Sequence, residues 1–411
     1  MELIVVGGGA AGMMASIVAA RQGVQVLLIE RLNRVGKKLL VTGNGRCNLT
    51  NVEVHKGDYH TNGKADFSQA LEKFDALDTR HFFEELGVMP LIEGKKVYPL
   101  SEQASSVLDV LRMEMKRLGV VEQTDTSIIR LRQKAGIWEL TAEDGTTYKS
   151  KKVIWATGGL AGGLSFGCDE EGYRVLNQVG HSLVKPFPTL VHIVSPSAYC
   201  KMLKGAKIKG MASIWVSGKK RREAQGEILF TEDGLSGPPI FQLSRLAAEA
   251  KLKGQACEVR LDLFSHKSQE DLISLLYERI AQHPERSIEE LFTGILHKRI
   301  ILALLKYVGL SQRHGSCEEL EYDEILGLVE GMKAFTFEVQ GTRGFKHAQA
   351  TAGGISIDEI DMETMASKKA KGLYLVGEVV DIDGDCGGFN LQWAWTSGYL
   401  AGLSASKRNE E

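Results

Sequence analysis

The first thirty residues alternate between apolar runs and glycines. The apolar, β-branched run 3–6 predicts a short strand that is buried on both faces. A glycine-rich turn occupies 7–12, and the small and apolar residues of 13–22 predict a helix. A second apolar run, 24–29, ends at the acid Glu30. This order predicts a β-α-β unit with two parallel strands.

Helices and short strands alternate in the next part of the chain. Apolar residues at helical spacing predict helices over 67–86 and 101–118. Short segments separated by turn residues then predict a small antiparallel sheet, followed by a buried strand. These segments are 127–131, 138–140 and 147–148, with a turn at 143–145, and the buried strand 152–157.

From residue 191 the pattern changes to strands joined by turns and then to a helical block. The strands are predicted near 191–194, 212–216, 227–230, 259–263 and 334–339, with helical stretches at 239–250 and 269–332. We interpret this region as an insert into the first domain. The predicted domains are a nucleotide-binding domain (1–190 and 345–411), a β-rich substrate domain (191–266 and 333–344) and a helical subdomain (267–332).

The composition is ordinary for a soluble globular protein. The 411 residues are 43% hydrophobic and 25% charged, with a formal net charge of −2. This length favours two or three domains, and the near-neutral charge gives no general argument for nucleic acid or an anionic membrane as partner. No run approaches the ~18 apolar residues of a membrane-spanning helix. Because no signal peptide is visible either, we expect a cytoplasmic protein.

The cysteines are scattered along the chain. They lie at positions 47, 168, 200, 257, 317 and 386, and no two form a CxxC pair. This spacing argues against a disulfide framework, a zinc site and a thioredoxin-reductase-type redox pair. We therefore expect no metal site.

The glycine-rich turn has the spacing of a dinucleotide-binding fingerprint. Gly7 permits a tight turn, Gly9 leaves room for a pyrophosphate and Gly12 lets the helix approach the strand. The start of the helix offers free N–H groups to phosphates. Glu30 follows at the position where an acid accepts hydrogen bonds from ribose hydroxyls.

A loop rich in glycine, asparagine and cations, 31–51, follows this acid directly. Its central segment 43–48 reads Gly-Asn-Gly-Arg-Cys-Asn. Such a loop can align backbone N–H groups and Arg or Lys side chains with a pyrophosphate and with a flavin ring. The alternative is a solvated basic loop, but closely spaced glycines favour approach to a ligand.

Two later segments extend the nucleotide-binding pattern. The buried strand that ends in Ala156, Thr157 and Gly158 is a recurrent feature of FAD-binding Rossmann domains. Near the C-terminus, an apolar strand ends in Gly377-Glu378, Asp381 follows, and a Gly-Gly turn opens a helix through Asn390 and Leu391. N–H groups at the start of that helix would stabilise negative charge at the pyrimidine end of a flavin.

The glycines that follow Gly158 do not form a second fingerprint. They stand at 158, 159, 162 and 163, which gives no i, i+2, i+5 set. A dedicated second nucleotide domain for NAD(P)H is therefore not predicted.

The insert contains two basic clusters, at 201–209 and 219–222. They are candidate contacts for an anionic partner, although solvated faces and hairpin tips are the commoner role of such runs. His192 and His347 are the best-placed histidines, and a lone histidine is more often structural. Cys47 and Cys386 lie in the two cofactor loops, but nothing in the sequence pairs them.

Four segments carry a resemblance to a known family: 42–51, 226–231 with 235–238, 351–354 and 377–398. Over essentially its whole length the chain resembles the bacterial FAD-binding proteins named after BaiN and YhiN, also called aminoacetone-oxidase-like flavoproteins. The resemblance implies an α/β fold with a glutathione-reductase-like Rossmann FAD domain, interrupted by a β-barrel-like domain and a small helical subdomain. One departure is Glu232-Asp233, where a histidine is common.

The motifs and the resemblance together predict non-covalent FAD and the residues that surround it. Ile128 would meet the adenine through its backbone, and Arg46, Cys47 and Asn48 would approach the flavin ring. The remaining predicted contacts are Gly7, Gly9, Ala11, Gly12, Glu30, Arg31, Lys38, Thr42, Gly43, Ala156, Thr157, Gly158, Gly377, Glu378, Asp381, Gly388, Asn390 and Leu391.

We therefore expect an FAD-dependent oxidoreductase that transfers a hydride between flavin N5 and a small organic substrate of amine or enone type. The substrate would lie between the FAD domain and the insert, with oxygen or a transiently bound NAD(P)H as electron partner. The alternatives are an FAD-dependent RNA-modifying or nucleic-acid-binding protein, and a flavin-binding protein without turnover. The sequence leaves the catalytic residues, the direction of transfer and the oligomeric state open.

Overall fold

A computed structural model describes residues 1–407 of the chain. The strands are β1 (Leu3–Val6), β2 (Val26–Ile29), β3 (Thr50–Asn51), β4 (Tyr59–His60), β5 (Pro90–Glu93), β6 (Lys96–Pro99), β7 (Val121–Gln123), β8 (Ile128–Lys134), β9 (Ile137–Ala142), β10 (Thr147–Ser150), β11 (Lys152–Trp155), β12 (Leu183–Thr189), β13 (Ile193–Val194), β14 (Lys207–Val216), β15 (Lys219–Thr231), β16 (Gly234–Ser236), β17 (Cys257–Asp262), β18 (Phe335–Glu338), β19 (Gly341–Thr342), β20 (Ala350–Ile355), β21 (Leu373–Leu375) and β22 (Asp383–Gly384). The α-helices are α1 (Ala10–Arg21), α2 (Ser68–Lys73), α3 (Ala76–Glu85), α4 (Ala104–Arg117), α5 (Glu171–Gln178), α6 (Ala198–Leu203), α7 (Pro238–Leu252), α8 (Gln269–Gln282), α9 (Ile288–Leu291), α10 (Lys298–Tyr307), α11 (Tyr322–Lys333) and α12 (Phe389–Ser406).

The chain divides into two compact units. The first comprises Met1–Pro188 and the residues from Phe345 onward, and the second is Thr189–Gly344. The further division of the second unit into a β-rich part and a helical subdomain stays a prediction.

A five-stranded parallel sheet forms the centre of the first unit. Its strand order is β21-β11-β1-β2-β7, and Leu3 of the central strand pairs with Val26 on one side and Lys152 on the other. All four residues of β1 are buried, as expected for a strand covered on both faces. Because the strands are parallel, the turns after β1, β2, β11 and β21 meet at one edge of the sheet. The predicted α/β fold with a Rossmann-type FAD domain is confirmed.

The first and last helices pack closely through small residues. A Cβ on Gly398 would lie 2.5 Å from the carbonyl oxygen of Ala11, and a Cβ on Gly402 would lie 2.8 Å from that of Ala15. Residues four apart share one face of a helix, so these two glycines together let the backbones of α12 and α1 approach. This contact fixes the C-terminal helix against the fingerprint helix.

The three short strands predicted near 127–148 form an antiparallel sheet, β8-β9-β10. Trp138 and Leu140 alternate with more exposed residues along β9 and face the core. Gly145 adopts a φ of +87° in the turn before β10, where the sequence predicts a turn. This part of the prediction is confirmed.

The second unit has its own core and one antiparallel sheet of strand order β18-β17-β14-β15-β16-β13-β19. The predicted strand segments lie largely within these strands, but the β14–β15 hairpin is longer than the apolar pattern indicates. Residues 219–226 are mostly polar and exposed, and only Lys207 and Lys209 are exposed in the facing segment 207–211. They are strands because their backbones pair with each other. Helices α8 to α11 lie between β17 and β18 in the chain.

None of the helices within residues 1–407 combines the length and apolar character that a membrane crossing requires.

Candidate functional site

The glycine-rich turn has the backbone that its sequence predicts. Gly7 has a φ of +104°, and a Cβ there would overlap the carbonyl oxygen of Ala156. A Cβ on Gly12 would overlap the carbonyl oxygen of Gly7. The turn role of Gly7 and the packing role of Gly12 are therefore confirmed. A Cβ on Gly9 would meet no protein atom within 4 Å, so its open side is free for a ligand.

Two cavities lie along the edge of the sheet where the parallel strands end. They share part of their wall, namely Gly9, Lys38, Ala156 and Gly158. Predicted site residues that line the first cavity are Gly7, Gly9, Glu30, Arg31, Lys38, Ile128, Ala156, Thr157 and Gly158. Those that line the second are Gly9, Ala11, Lys38, Thr42, Ala156, Gly158, Gly377, Glu378, Asn390 and Leu391. The sequence thus brings together residues from positions 7 to 391 around one elongated site.

Glu30 is fixed in the wall of the first cavity by two backbone donors. Its Oε2 accepts the N–H of Gly8 at 2.7 Å, and its Oε1 accepts the N–H of Leu32 at 2.9 Å. Burial raises the pKa of this carboxyl, against the lowering effect of these hydrogen bonds. The acid therefore has a defined orientation at the end of β2, and its contact with a ribose stays a prediction.

A strap of residues from 166 to 172 also lines the first cavity. Arg31 holds it through an ion pair with Asp169 at 2.5 Å and a hydrogen bond to the carbonyl oxygen of Gly167 at 3.3 Å. Sequence reasoning placed 167–172 at the opening of a helix and missed Cys168 as a wall residue. The available signal was the glycine pair that brackets this segment.

Lys38 lies in the wall that both cavities share. Its Nζ is 2.5 Å from Oε2 of Glu378. Burial acts to lower the pKa of Lys38, but the attraction to Glu378 outweighs it and the pKa is raised. The side chain is therefore a stable cation between the two cavities.

The loop 42–48 is held in an unusual backbone conformation. Gly43, Asn44, Gly45 and Cys47 all have positive φ, and two of these are not glycine. Such strain is typical of functional sites whose surroundings fix the backbone. Thr42, at the start of this loop, lines the second cavity and donates its hydroxyl to the carbonyl oxygen of Leu39 at 2.7 Å.

Asn48 connects this loop to the start of the last helix. In the amide orientation that satisfies both of its ends, its oxygen accepts the N–H of Gly388 at 3.1 Å. Its nitrogen donates to the carbonyl oxygens of Thr50 at 2.9 Å and Val97 at 3.1 Å. Asn48 and Gly388 are not in the lining of either cavity. They instead position the first turn of α12, whose Asn390 does line the second cavity.

The structure places Arg46 and Cys47 outside the lining of both cavities. Arg46 pairs with Glu93 at 2.6 Å and with Glu102, and its guanidinium lies 4.0 Å from the centre of the Tyr98 ring. Cys47 is fully buried, and burial raises its pKa to about 12. Its thiol is thus protonated at neutral pH, which disfavours thiolate chemistry. The predicted approach of both residues to the flavin ring stays a prediction.

Asp381 binds a neighbouring loop. This carboxylate is fully buried and accepts three hydrogen bonds. Asn62 donates its backbone N–H at 2.9 Å and its side-chain amide N–H at 3.1 Å, and Thr61 donates its hydroxyl at 3.3 Å. Together with Gly12 and Gly43, it lies outside the lining of both cavities. The sequence offered no signal for the contact with Thr61 and Asn62, because more than 300 residues separate the partners.

The arrangement fits an FAD molecule. Glu30 lies at one end, the first turn of α12 at the other, and the cation Lys38 at the junction, where a pyrophosphate connects the two halves of the cofactor. In the first cavity, the buried hydroxyl of Thr157 has no hydrogen-bond partner within residues 1–407. A buried polar atom of this kind needs a partner, which a ligand bound in this cavity would supply.

Comparison with known proteins identifies the family of the chain. A family model described as the HI0933-like protein Rossmann domain matches residues 1–404. A 3-dehydro-bile acid delta(4,6)-reductase of Clostridium scindens is 35% identical over 406 residues, which are 98% of this chain and 98% of the relative. A ribosomal RNA dihydrouridine synthase of Escherichia coli is 27% identical over 97% of this chain and 96% of its own.

A solved structure shows the same fold. The 3-ketosteroid-delta4-(5alpha)-dehydrogenase of Rhodococcus jostii is similar with a TM-score of 0.51 and 15% identity over 99% of this chain and 97% of its own. The chain therefore belongs to the HI0933-like family and is an FAD-dependent oxidoreductase.

Proposed function

We propose that this protein uses FAD to reduce a carbon–carbon double bond conjugated to a carbonyl group in a small organic molecule of the steroid-enone class. The observation that carries the proposal is the wall of the second cavity. It combines apolar side chains with the Lys38–Glu378 ion pair and the start of a long helix. Such a site suits an uncharged ring system on which negative charge develops during reaction.

The apolar part of this wall limits access of water. Leu39, Val376, Ile382 and Trp393 contribute to it. Exclusion of water strengthens the electrostatic interactions in the cavity and prevents loss of the transferred hydride to side reactions. An apolar substrate would also gain free energy by leaving water here.

In the polar part of the wall, Lys38 and Glu378 form an ion pair, and the start of helix α12 adds further positive character. The helix α12 directs its first-turn N–H groups, near Asn390 and Leu391, to the same cavity as the ammonium group of Lys38. When bound, FAD would supply the hydride, and these groups would hold the negative charge of the reduced ring system. Asn48 fixes the helix start, so the donors need no rearrangement during reaction.

The relatives support the reaction class. The Clostridium scindens relative is named as a reductase of an oxo-steroid. The Escherichia coli relative is named for dihydrouridine, which is uridine with a saturated ring bond next to a carbonyl group. Both names fit the reduction of a double bond next to a carbonyl group, and we extend this reaction class to the present chain.

Uridine in ribosomal RNA is the second candidate substrate. It is favoured by the β14–β15 hairpin, where Lys219 and Arg221 are exposed next to the turn. Other lysines of the basic clusters form ion pairs with acids, such as Lys220 with Glu223 at 2.5 Å and Lys207 with Glu227 at 2.9 Å. Because these pairs reduce the positive potential of the surface, we rank RNA second.

The test is anaerobic stopped-flow mixing of the flavin-loaded protein with NADH and, separately, with NADPH. Rapid bleaching of the visible flavin absorbance is expected with at least one of them. The reduced protein is then mixed with a 3-oxo-4-ene steroid or with a ribosomal RNA fragment, and return of the absorbance identifies the substrate class. If amines bleach the flavin absorbance but neither NADH nor NADPH does, the substrate gives its hydride to the flavin instead of receiving one. That result would refute the proposal. A loaded protein that reacts with none of these reagents would support a non-catalytic role.

The RNA candidate has its own control. Binding through phosphate contacts weakens steeply with salt, so RNA affinity should fall between low and moderate ionic strength. The double variant Lys219→Glu/Arg221→Glu should abolish it, whereas Lys116→Glu on the exposed side of α4 should not. RNA affinity that is the same in both variants would exclude the hairpin as the RNA contact.

A further inference from the structure

The ion pair between Lys38 and Glu378 occupies the junction of the two cavities. The side chain of Lys38 is 28% exposed and that of Glu378 is 20% exposed, so the pair is better shielded from solvent than a surface ion pair. Lys38 lines both cavities, and Glu378 lines the second. The partners are 340 positions apart in the sequence, so the pair joins the loop after β2 to the turn after β21.

Glu378 is the rigid partner of the two. Its Oε1 accepts the backbone N–H of Thr351 at 2.7 Å. The hydroxyl of Thr351 in turn accepts the N–H groups of Leu160 and Ala161 at 2.8 and 2.9 Å. A Cβ on Gly159 would lie 2.5 Å from the hydroxyl oxygen of Thr351 and 3.0 Å from the carboxyl carbon of Glu378, so the backbone of Gly159 packs directly against this carboxylate.

Lys38 is the adaptable partner. Its ammonium group has three donors on a flexible stem, and one of them donates to Oε2 of Glu378. The pyrophosphate of FAD is anionic and connects the adenosine and flavin halves of the cofactor. A group of that charge at the junction would attract the same ammonium that Glu378 holds.

We infer that Glu378 competes with the cofactor's pyrophosphate for Lys38, so that this carboxylate lowers the affinity of the protein for FAD. The inference rests on the FAD site described above and adds the role of Glu378. The fixed acid is an internal competitor that keeps the lysine ordered and makes cofactor binding weaker than the lysine alone would allow.

The test measures ADP binding to flavin-free protein by calorimetry, because ADP carries the pyrophosphate without the flavin ring. Glu378→Gln keeps an oxygen for the Thr351 N–H but removes the charge. It should tighten ADP binding by roughly three- to tenfold, and Lys38→Met should weaken it by about tenfold or more. Adenosine, which has no phosphate, should bind Glu378→Gln and the wild-type protein alike, because Glu378 does not line the first cavity. Unchanged or weaker ADP binding by Glu378→Gln would overturn the inference.

The double variant Lys38→Met/Glu378→Gln separates competition from simple repulsion. If Glu378 acts by holding Lys38, its replacement has no further effect once Lys38 is gone. A full gain in ADP affinity in the Lys38→Met background would show direct repulsion of the phosphate and contradict the inference. Glu378→Asp is a milder variant that retracts the carboxylate by one methylene, and it should give a smaller gain if Glu378→Gln does not fold.

A matched pair in the second unit is the control. The Nζ of Lys333 lies 2.6 Å from Oδ2 of Asp262, and the two side chains are 18% and 22% exposed, respectively. Asp262 also accepts the backbone N–H of Phe264, as Glu378 accepts that of Thr351. Asp262→Asn should leave ADP affinity unchanged. If the wild-type protein binds neither ADP nor FAD, the FAD site itself fails, whereas normal wild-type binding with no gain in Glu378→Gln refutes only the competition.

Discussion

Asn48 provides a sharp test of how the strained loop 42–48 supports the site. In the structure this side chain makes three hydrogen bonds, one from the N–H of Gly388 and two to carbonyl oxygens. Asn48→Ala removes all three and leaves the first turn of α12 without its side-chain anchor. We expect loss of stability and also loss of flavin affinity, because Asn390 and Leu391 in that turn line the second cavity.

The magnitude follows from the contacts. Each intramolecular hydrogen bond contributes about 0.5–1.5 kcal/mol, and a buried partner left unpaired costs about 1–3 kcal/mol. Asn48 is only half-buried, so water can replace part of what is lost. We expect a decrease of about 2 kcal/mol in the free energy of unfolding, which corresponds to about 4–8 °C in Tm for a unit of this size.

The assay combines thermal unfolding with a titration of flavin-free protein by FAD. Asn48→Ala should lower Tm by this amount and weaken FAD binding by roughly tenfold, whereas Asn33→Ala, at an exposed position of a nearby loop, should change neither. Asn48→Asp keeps the acceptor for Gly388 but sets a carboxylate against two carbonyl oxygens, so it should be at least as destabilising. A Tm within 1 °C of wild type for Asn48→Ala would refute the assigned role, since that is below the effect of ~1 kcal/mol.

Three further predictions follow from other features. Gly12→Ala should abolish FAD binding and destabilise the protein, because the added methyl would overlap the carbonyl oxygen of Gly7; loss of flavin absorbance after gel filtration tests this. Burial lowers the pKa of His181 from 6.5, and hydrogen bonds lower the pKa of Glu359 from 4.5 to about 2 despite burial. Both groups therefore stabilise the fold above their unfolded pKa values, and this contribution is lost as the pH falls. The urea midpoint of unfolding should decline below pH 6.5 as His181 is protonated. It should decline again between pH 4.5 and 2 as Glu359 is protonated, and Glu359→Gln should reduce this second decline. The thiol of Cys47, with its pKa raised to about 12, should resist iodoacetamide at pH 8 in the folded protein and react after unfolding; rapid alkylation of the folded protein would show that the loop opens.

The sequence predicted those parts of the fold in which local pattern and structure agree. The unit β1-α1-β2 is dictated by consecutive apolar residues and by three glycines whose space requirements the structure shows directly. The β14–β15 hairpin is only partly predictable. Its outer residues, such as 219–223, are mostly polar, and their strand conformation depends on pairing with a neighbour rather than on burial.

The site was predictable in its composition but not in its internal contacts. Glu30 and Lys38 follow a strand end, which places them at the cofactor edge by topology alone. Asn62, which binds Asp381, and Lys38, which binds Glu378, lie more than 300 positions away from these acids along the chain. Thr351, the second partner of Glu378, lies in another strand, and no local pattern encodes any of these contacts. Arg46 shows the same limit, since acids at positions 93 and 102 hold its side chain.

The split of the first unit around the insert has a consequence for biosynthesis. The ribosome completes β1, β2 and β11 early, but β21 and α12 emerge only after all of Thr189–Gly344. At typical rates of translation, roughly 10–40 s separate the end of the first segment from the edge strand that completes the sheet. During this interval the second unit can fold as a domain with its own core, while the nascent nucleotide-binding unit still lacks the wall formed by Gly377 and Asn390. Flavin insertion is therefore a late event, and truncated chains that stop within the insert should be released without cofactor.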